Sequence, residues 1–228
     1  MKPVIAIDGA AGSGKSTLAY RLASQLGLPY VNTGLMYRAL ALRAHREGVS
    51  PNDGGALGRL ARAIGFDLDS SVRPPELRID GEPPEADLTS PEVESSVSAV
   101  ARHPEVRAVL RQEQRRLGAG GAVMEGRDIG SVVAPDAPLK LFLEAHPEER
   151  VGRRALERAG DPERIAEALG TRDEQDARTN PFVPAPDAVV LDTTDLTPDE
   201  VARRALVLAR ERGLAPGAPR AARAPRAP

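Results

Sequence analysis

Residues 9–16 read Gly9-Ala10-Ala11-Gly12-Ser13-Gly14-Lys15-Ser16, followed by Thr17. They fit G-x-x-x-x-G-K-[ST], a phosphate-binding loop that works only between a strand and a helix. Both flanks supply that context. Val4-Ile5-Ala6-Ile7 is the β-branched apolar run of a buried strand. After Thr17, the residues Leu18, Ala19, Leu22, Ala23 and Leu26 recur at helical spacing. A strand that must feed a glycine turn and then a helix commits the chain to an α/β fold.

The residue types follow from the chemistry. Glycines let successive N–H groups converge on one concavity that holds an anion, and the following helix adds the positive end of its dipole. The segment from Gly9 through Ala10, Ala11, Gly12, Ser13, Gly14, Lys15 and Ser16 to Thr17 is therefore expected to cradle the phosphates of ATP. Lys15 would reach the β- and γ-phosphates, and the Ser16 hydroxyl would ligate Mg²⁺.

Bulk properties narrow the class further. A length of 228 residues suits one α/β domain with insertions. The net charge of −2 speaks against a general polyanion binder, so no nucleic-acid partner is expected. There is no cysteine, which excludes disulfides and thiol chemistry and fits a cytoplasmic location. No apolar run approaches a membrane span, and the first strand begins too early for a signal peptide. His45, His103 and His146 are scattered, form no metal-ligand pattern and are expected on the surface. Apart from Lys2, Lys15 and Lys140, all 31 basic residues are arginine, so arginine position is more informative than arginine count.

Along the chain, Pro29–Val31 reads as a second strand. A helix from about Gly34 to Glu47 follows, with Thr33 as a possible cap, then a loop at 51–55 and a weaker helix over 57–64. Segments 66–69 and 76–79 alternate apolar and polar, and Asp80-Gly81 is a hairpin signal, so an antiparallel insert outside the main sheet is expected. Helix resumes over 91–117 with a break at His103-Pro104. Strands follow at 122–124, 139–143 and 188–192, and helices at 147–168 and 198–212, with a charged loop or helix end at 170–182. The tail 213–228 is Ala, Pro, Gly and Arg without an acid and is expected to be disordered.

Four clusters outside the loop can carry chemistry. Thr33-Gly34-Leu35-Met36-Tyr37-Arg38 opens a helix that could receive a second phosphate, or is an ordinary capped helix. Glu125-Gly126-Arg127-Asp128 follows a strand, where doubly wound sheets bind ligands, and could set a carboxylate near Mg²⁺ and a guanidinium near phosphate. Arg150, Arg153 and Arg154 share a helix face, either closing over an anion or neutralised by Glu148, Glu149 and Glu157. Arg172-Asp173-Glu174-Gln175-Asp176-Ala177-Arg178 could complete an arginine lid.

In this order, from Val4 to Arg212, the clusters resemble the bacterial cytidylate kinases, a family of nucleoside monophosphate kinases. The resemblance rests on Ile7-Asp8-Gly9 with the loop, Thr33-Gly34 with Tyr37-Arg38, Ile79-Asp80-Gly81-Glu82, Ser98 with His103-Pro104-Glu105-Val106-Arg107, and Glu125 to Gly130. Arg172-Asp173 with Asp176, and Asp187-Ala188 before Leu191-Asp192-Thr193, complete it. It implies a three-layer α/β/α P-loop kinase with a central parallel sheet, a monophosphate-binding insert and an arginine-rich lid. The single domain would cover 1–212: core at about 1–33, 118–146 and 183–212, monophosphate region 34–117, lid 147–182. The implied activity is γ-phosphoryl transfer from MgATP to CMP or dCMP by a cytoplasmic monomer.

Carried over by position, Ser98, Arg107 and Asp128 would read the cytosine. Arg38, Arg127 and Arg178 would hold the acceptor phosphate, with Thr33 and Tyr37 beside it. Arg172 and Asp176 would meet the ribose. Lys15, Arg127, Arg150 and Arg154 would act on the transferring group, Arg153 closing with them. Ser16 would ligate Mg²⁺ directly and Glu125 would assist. The sequence departs from the family in three places. Asp176-Ala177-Arg178 is one residue shorter than the usual D-x-x-R and puts Thr179 where arginine is expected. Glu125 stands where aspartate is common, and Thr33 where serine is.

Overall fold

The computed structural model describes residues 3–158, 161–179 and 181–214. Five parallel strands form the central sheet: β1 (Val4–Gly9), β2 (Tyr30–Asn32), β5 (Ala122–Gly126), β6 (Leu139–Glu144) and β7 (Val189–Asp192), in the order β2-β5-β1-β6-β7. Helices α1 (Lys15–Leu26), α2 (Thr33–Arg46), α3 (Gly54–Ala63), α4 (Pro91–Ala101), α5 (Pro104–Gly118), α6 (Pro147–Arg158), α7 (Pro162–Thr179) and α8 (Pro198–Glu211) surround it, with a separate hairpin of β3 (Phe66–Asp69) and β4 (Glu76–Ile79).

Strand periodicity divides the core. On β1, Ile5 and Ile7 pack with Leu18, Leu22, Leu141 and Ala205 under α1 and α8. Ala6 faces the opposite way, into a second cluster with Met36, Leu40, Leu110 and Met124 from α2, α5 and β5. Alternate side chains of one buried strand thus hold two helical layers, giving the α/β/α sandwich. The register sets Ile7 beside Glu125, Asp8 beside Gly126 and Gly9 beside Leu143. The chemistry-bearing residues therefore meet at the carboxyl ends of the strands, where the sheet order reverses around β1.

Several boundaries differ from expectation. β5 runs on to Gly126, so Glu125 and Gly126 belong to the strand and not to a loop. Asn32, not Thr33, caps α2 by accepting from Leu35 N–H at 3.2 Å. Asp80-Gly81 does form a tight turn, but it pairs Ile79 with Glu82 beyond β4; the 70–75 segment closes the hairpin. α6 ends at Arg158, and α7 begins at Pro162, where a first-turn proline loses no helical N–H bond. α7 then runs to Thr179 through the stretch read as a charged loop or helix end, and tertiary ion pairs on its inner face use those charges. His103 is half-buried, with Nε2 2.9 Å from the Pro51 carbonyl. Gly213 and Leu214 close the last helix, and the rest of the expected disordered tail, 215–228, lies outside the described residues. Among the described residues no helix is long and apolar enough to cross a membrane.

Candidate active site

The phosphate loop lies between β1 and α1. Gly9 has a φ of +145°, and a Cβ there would sit 2.3 Å from the Leu143 carbonyl oxygen. Gly14, at φ +88°, is the left-handed residue that starts α1. Ser13 and Ala11 are buried beneath the loop, while Gly12 and Thr17 line an open cavity beside it, and Ala10 lines another on the α6 side. Lys15 is buried and folds back, donating to the Ala10 carbonyl and approaching Ser13 Oγ at 3.5 Å. Burial first, then the neighbouring Arg127 guanidinium, pushes the Lys15 ammonium well below the usual lysine range.

Glu125 organises the loop's far side. Its carboxylate accepts from Ser16 Oγ at 2.9 Å and from the Tyr30 hydroxyl at 2.5 Å, and Asn32 Nδ2 donates to that hydroxyl at 3.2 Å. Burial and the adjacent carboxylate push the Tyr30 hydroxyl upward, so it stays protonated as a donor. Thr33 Oγ1 donates to the Glu125 carbonyl at 2.7 Å. Asp8, buried at the end of β1, accepts from the backbone N–H groups of Ile129 and Gly130, both at 2.8 Å. Its carboxyl is pushed up to about 6, chiefly by burial and against the pull of those two donors.

Opposite the loop a cavity opens between α2, α4, α5, β5 and α7. Tyr37, Ser98, Arg107, Arg127, Asp128 and Arg172 line it, with Thr33, Asp176 and Thr179 at its walls. Asp176 is the hub: Oδ1 accepts from Ser98 Oγ at 2.7 Å, and Oδ2 lies 3.3 Å from Arg127 Nε and 3.8 Å from Arg172 Nε. Arg172 also approaches Glu94 at 3.9 Å. Burial, then Arg127 and Arg38, draws the Arg172 guanidinium down to about 10. Arg107 donates to the Thr179 carbonyl at 2.9 Å and stands 3.5 Å from Asp128, which Arg111 also grips. Tyr37 is pushed up to about 12, by burial first and then by the charge of Asp128.

Two assigned residues are placed differently. Arg38 is buried outside the cavity wall, donating to Glu94 at 2.7 Å and to the Leu88 carbonyl at 3.0 Å. Its guanidinium ties α2 to the segment before α4. Arg178 is exposed and does not line the cavity. Arg172, Asp176 and Thr179 are spaced i, i+4 and i+7 on the inner face of α7, so Arg178, two residues past Asp176, points to the other side. Thr179, at the position where the resemblance leads one to expect arginine, lines the cavity instead.

The α6 arginines also diverge. Arg150 reaches the loop, donating to the Ala11 carbonyl at 3.1 Å and to Asp173 at 2.6 Å. Arg153 is fastened instead to Thr193, with bonds of 3.1 Å and 2.6 Å. Arg154 pairs with Glu157 at 3.0 Å and borders a cavity shared with Arg172 and Ser98. Long stems let neighbours on one face reach different anchors. Sequence reasoning missed Tyr30, Arg111 and Phe182, whose ring centroid lies 5.9 Å from the Arg127 guanidinium carbon, and it named Asp173 in the lid cluster without its partner. Arg111 was visible in principle, four residues beyond Arg107 on one helix.

This geometry sets the phosphate loop beside a cation-rich cavity that Ser98, Arg107 and Asp128 also line. The cytidylate kinase profile matches residues 5–211. The chain belongs to the cytidylate kinase family. A cytidylate kinase of Pelotomaculum thermopropionicum is 44% identical over 211 residues, covering 88% of this chain and 93% of that protein. One from Desulfitobacterium hafniense is 45% identical over 212 residues, covering 90% and 91%. The fold is shared with a crystal structure of an uncharacterized protein from Eubacterium ventriosum, at 12% identity and a TM-score of 0.51 over 93% of this chain and 99% of that one.

Proposed function

We propose that the protein transfers the γ-phosphoryl group of MgATP to CMP or dCMP, giving ADP and CDP or dCDP. The observation that carries this is the convergence of Lys15, Arg127 and Arg172 between the phosphate loop and the cavity holding Ser98, Arg107 and Asp128. After burial, the charge of Arg127 lowers the proton affinity of both Lys15 and Arg172, and an anion between these cations relieves it.

The acceptor's phosphate oxygen forms a bond to the γ-phosphorus while the bond to the β,γ-bridging oxygen breaks, and ADP leaves with that electron pair. No side-chain nucleophile is required; positioning and charge stabilisation suffice. The loop N–H groups from Gly9 to Thr17 hold the β- and γ-phosphates, and Lys15 leaves the Ala10 carbonyl for them. Arg127, with Arg172 beside it, holds the acceptor phosphate, and Asp176 takes a ribose hydroxyl. Asp128 accepts from the cytosine amino group, while Ser98 and Arg107 donate to its O2 and N3. Arg150, already on the loop, and Arg154 at the cleft edge exclude water, which would otherwise compete as acceptor.

The donor set at the loop suits Mg²⁺. A hydroxyl and a buried carboxylate, Ser16 and Glu125, lie 2.9 Å apart with hard oxygens only. A magnesium ion bound mainly through substrate phosphates needs one or two such protein ligands. When bound it would neutralise phosphate charge there.

The chain divides functionally into a core (about 1–33, 118–146 and 183–212), a monophosphate region (34–117) and a lid (147–182). The net charge of −2 supports work on free nucleotides, not nucleic acid; a cytoplasmic monomer completes the proposed reading. The test is ADP formation from MgATP with CMP, dCMP, UMP, AMP, GMP and dTMP offered separately. Turnover confined mainly to CMP and dCMP is expected. Preference for another acceptor would discard the cytosine assignments, and ADP release indifferent to acceptor would discard the kinase reaction.

A further inference from the structure

Asp128 is gripped by two guanidinium groups, only one of which lines the acceptor cavity. Arg107 does; Arg111, one turn further along α5, approaches the carboxylate from behind. Both converge on the same oxygen. Arg111 donates a hydrogen bond to Oδ2, and Arg107 Nη2 stands 3.5 Å from that atom. No described residue donates to Oδ1. The Asp128 side chain is 12% exposed, so water does little to hold its orientation.

We propose that Arg111 is a positioning residue that sets the preference for an amino-pyrimidine over a keto-pyrimidine acceptor. It rests on the assignment of Asp128 as reader of the acceptor base. Occupying Oδ2 fixes the plane of the carboxylate and leaves the Oδ1 lone pairs for an exocyclic amine. A carbonyl at the same position would face those lone pairs without a proton between them, the situation in which a buried site rejects an analogue most strongly. Arg111 also frees Arg107 from being the sole counter-ion of Asp128. Arg107 can then keep its 2.9 Å bond to the Thr179 carbonyl, joining the base site to α7. Without Arg111, Asp128 and Arg107 can collapse into a bidentate pair. That pair turns Oδ1 away from the base and takes Arg107 off α7.

Arg111→Met keeps the apolar stem and removes the guanidinium, Arg111→Lys keeps a point charge, and Asp128→Asn tests the underlying assignment. Each full-length variant is assayed for kcat and KM with CMP and with UMP at saturating MgATP, alongside thermal unfolding. We expect Arg111→Met to raise the KM for CMP about tenfold or more with kcat within about threefold, while kcat/KM for UMP holds or rises. Arg111→Lys should restore part of the CMP preference. Equal losses on CMP and UMP, from either Arg111 variant, would overturn the proposal and leave Arg111 a packing residue. If Asp128→Asn abolishes the CMP preference while both Arg111 variants keep it, the Arg111 proposal alone falls. If Asp128→Asn keeps the preference, the base-site assignment falls and takes the proposal with it.

Discussion

The two sides of the cleft are built on opposite plans. The side proposed for the donor is local: contiguous residues from Gly9 to Thr17, held between β1 and α1. The acceptor side is dispersed. Its groups come from α2, α4, α5, β5 and α7, and carboxylates cross-link its arginines: Glu94 to Arg38 and Arg172, Asp176 to Arg127, Asp128 to Arg107 and Arg111. Backbone donors need no counter-charge, because their dipoles are fixed by the fold. Guanidiniums do, and their partner acids offset the charge they bring into one cavity. Phosphate binding on the donor side should therefore depend on one side chain, Lys15, and on the acceptor side on a network.

The sharpest break of that comparison is at Lys15. Its folded-back ammonium is buried at a cost, and its removal leaves the loop backbone untouched. Lys15→Ala should reduce turnover about a thousandfold, with the thermal midpoint unchanged or raised. Turnover near that of the parent chain would end the case for a single-residue donor side.

Asp8 joins the two plans, since the donor strand's carboxylate holds the backbone of Ile129 and Gly130 just past Asp128. Its carboxyl rises from 3.8 to about 6 on folding. Between those values the folded chain binds the proton more tightly than the unfolded one, so stability falls as pH rises through this window and levels off above it. A shift of about two units corresponds to roughly 3 kcal/mol. Asp8→Asn resembles the protonated acid and lacks this linkage. The stability of the parent chain minus that of the variant, from denaturant unfolding, should fall by up to about 3 kcal/mol between about pH 4 and pH 7. A pH-independent difference would show that Asp8 does not titrate there.

On the acceptor side, Arg107→Ala should raise the KM for CMP about tenfold or more while the KM for ATP stays within about threefold. Equal changes in both would mean that the two sides are not separable, and would remove Arg107 from the base site.

The same contrast explains what the sequence disclosed. The donor loop was legible because its function is written in eight adjacent residues whose types backbone geometry dictates. The sheet and most helices were legible from periodicity. The acceptor side could be assigned only by resemblance, position by position, because nothing in the order of residues says that Ser98 will meet Asp176 or that Arg107 will reach Thr179. Arg111 escaped notice, and Asp173 was named without a partner, for the same reason: their partners, Asp128 and Arg150, are distant in sequence and near only after β5 and α7 are placed. The end of α7 was left open between charged loop and helix end because its charges resemble those of a solvated loop until their buried partners are known.

The smallest expected effect is at Arg178, and it tests the helix that decides the acceptor side. Assigned by resemblance to the acceptor phosphate, Arg178 stands on the solvent face of α7, about 200° round the axis from Asp176. Arg178→Ala should therefore change the KM for CMP by less than about twofold, in line with other exposed substitutions. The phosphate would then rely on Arg127, with Arg172 and the buried Arg38 behind it, a set with one cation fewer than the usual family spacing supplies. A tenfold rise in KM would instead require the end of α7 to unwind when the acceptor binds. That change would carry the Thr179 carbonyl away from Arg107 and give the lid a second, bound register. Kinetics of this one variant against CMP thus distinguishes a lid helix that keeps its register from one that remakes its last turn around the substrate.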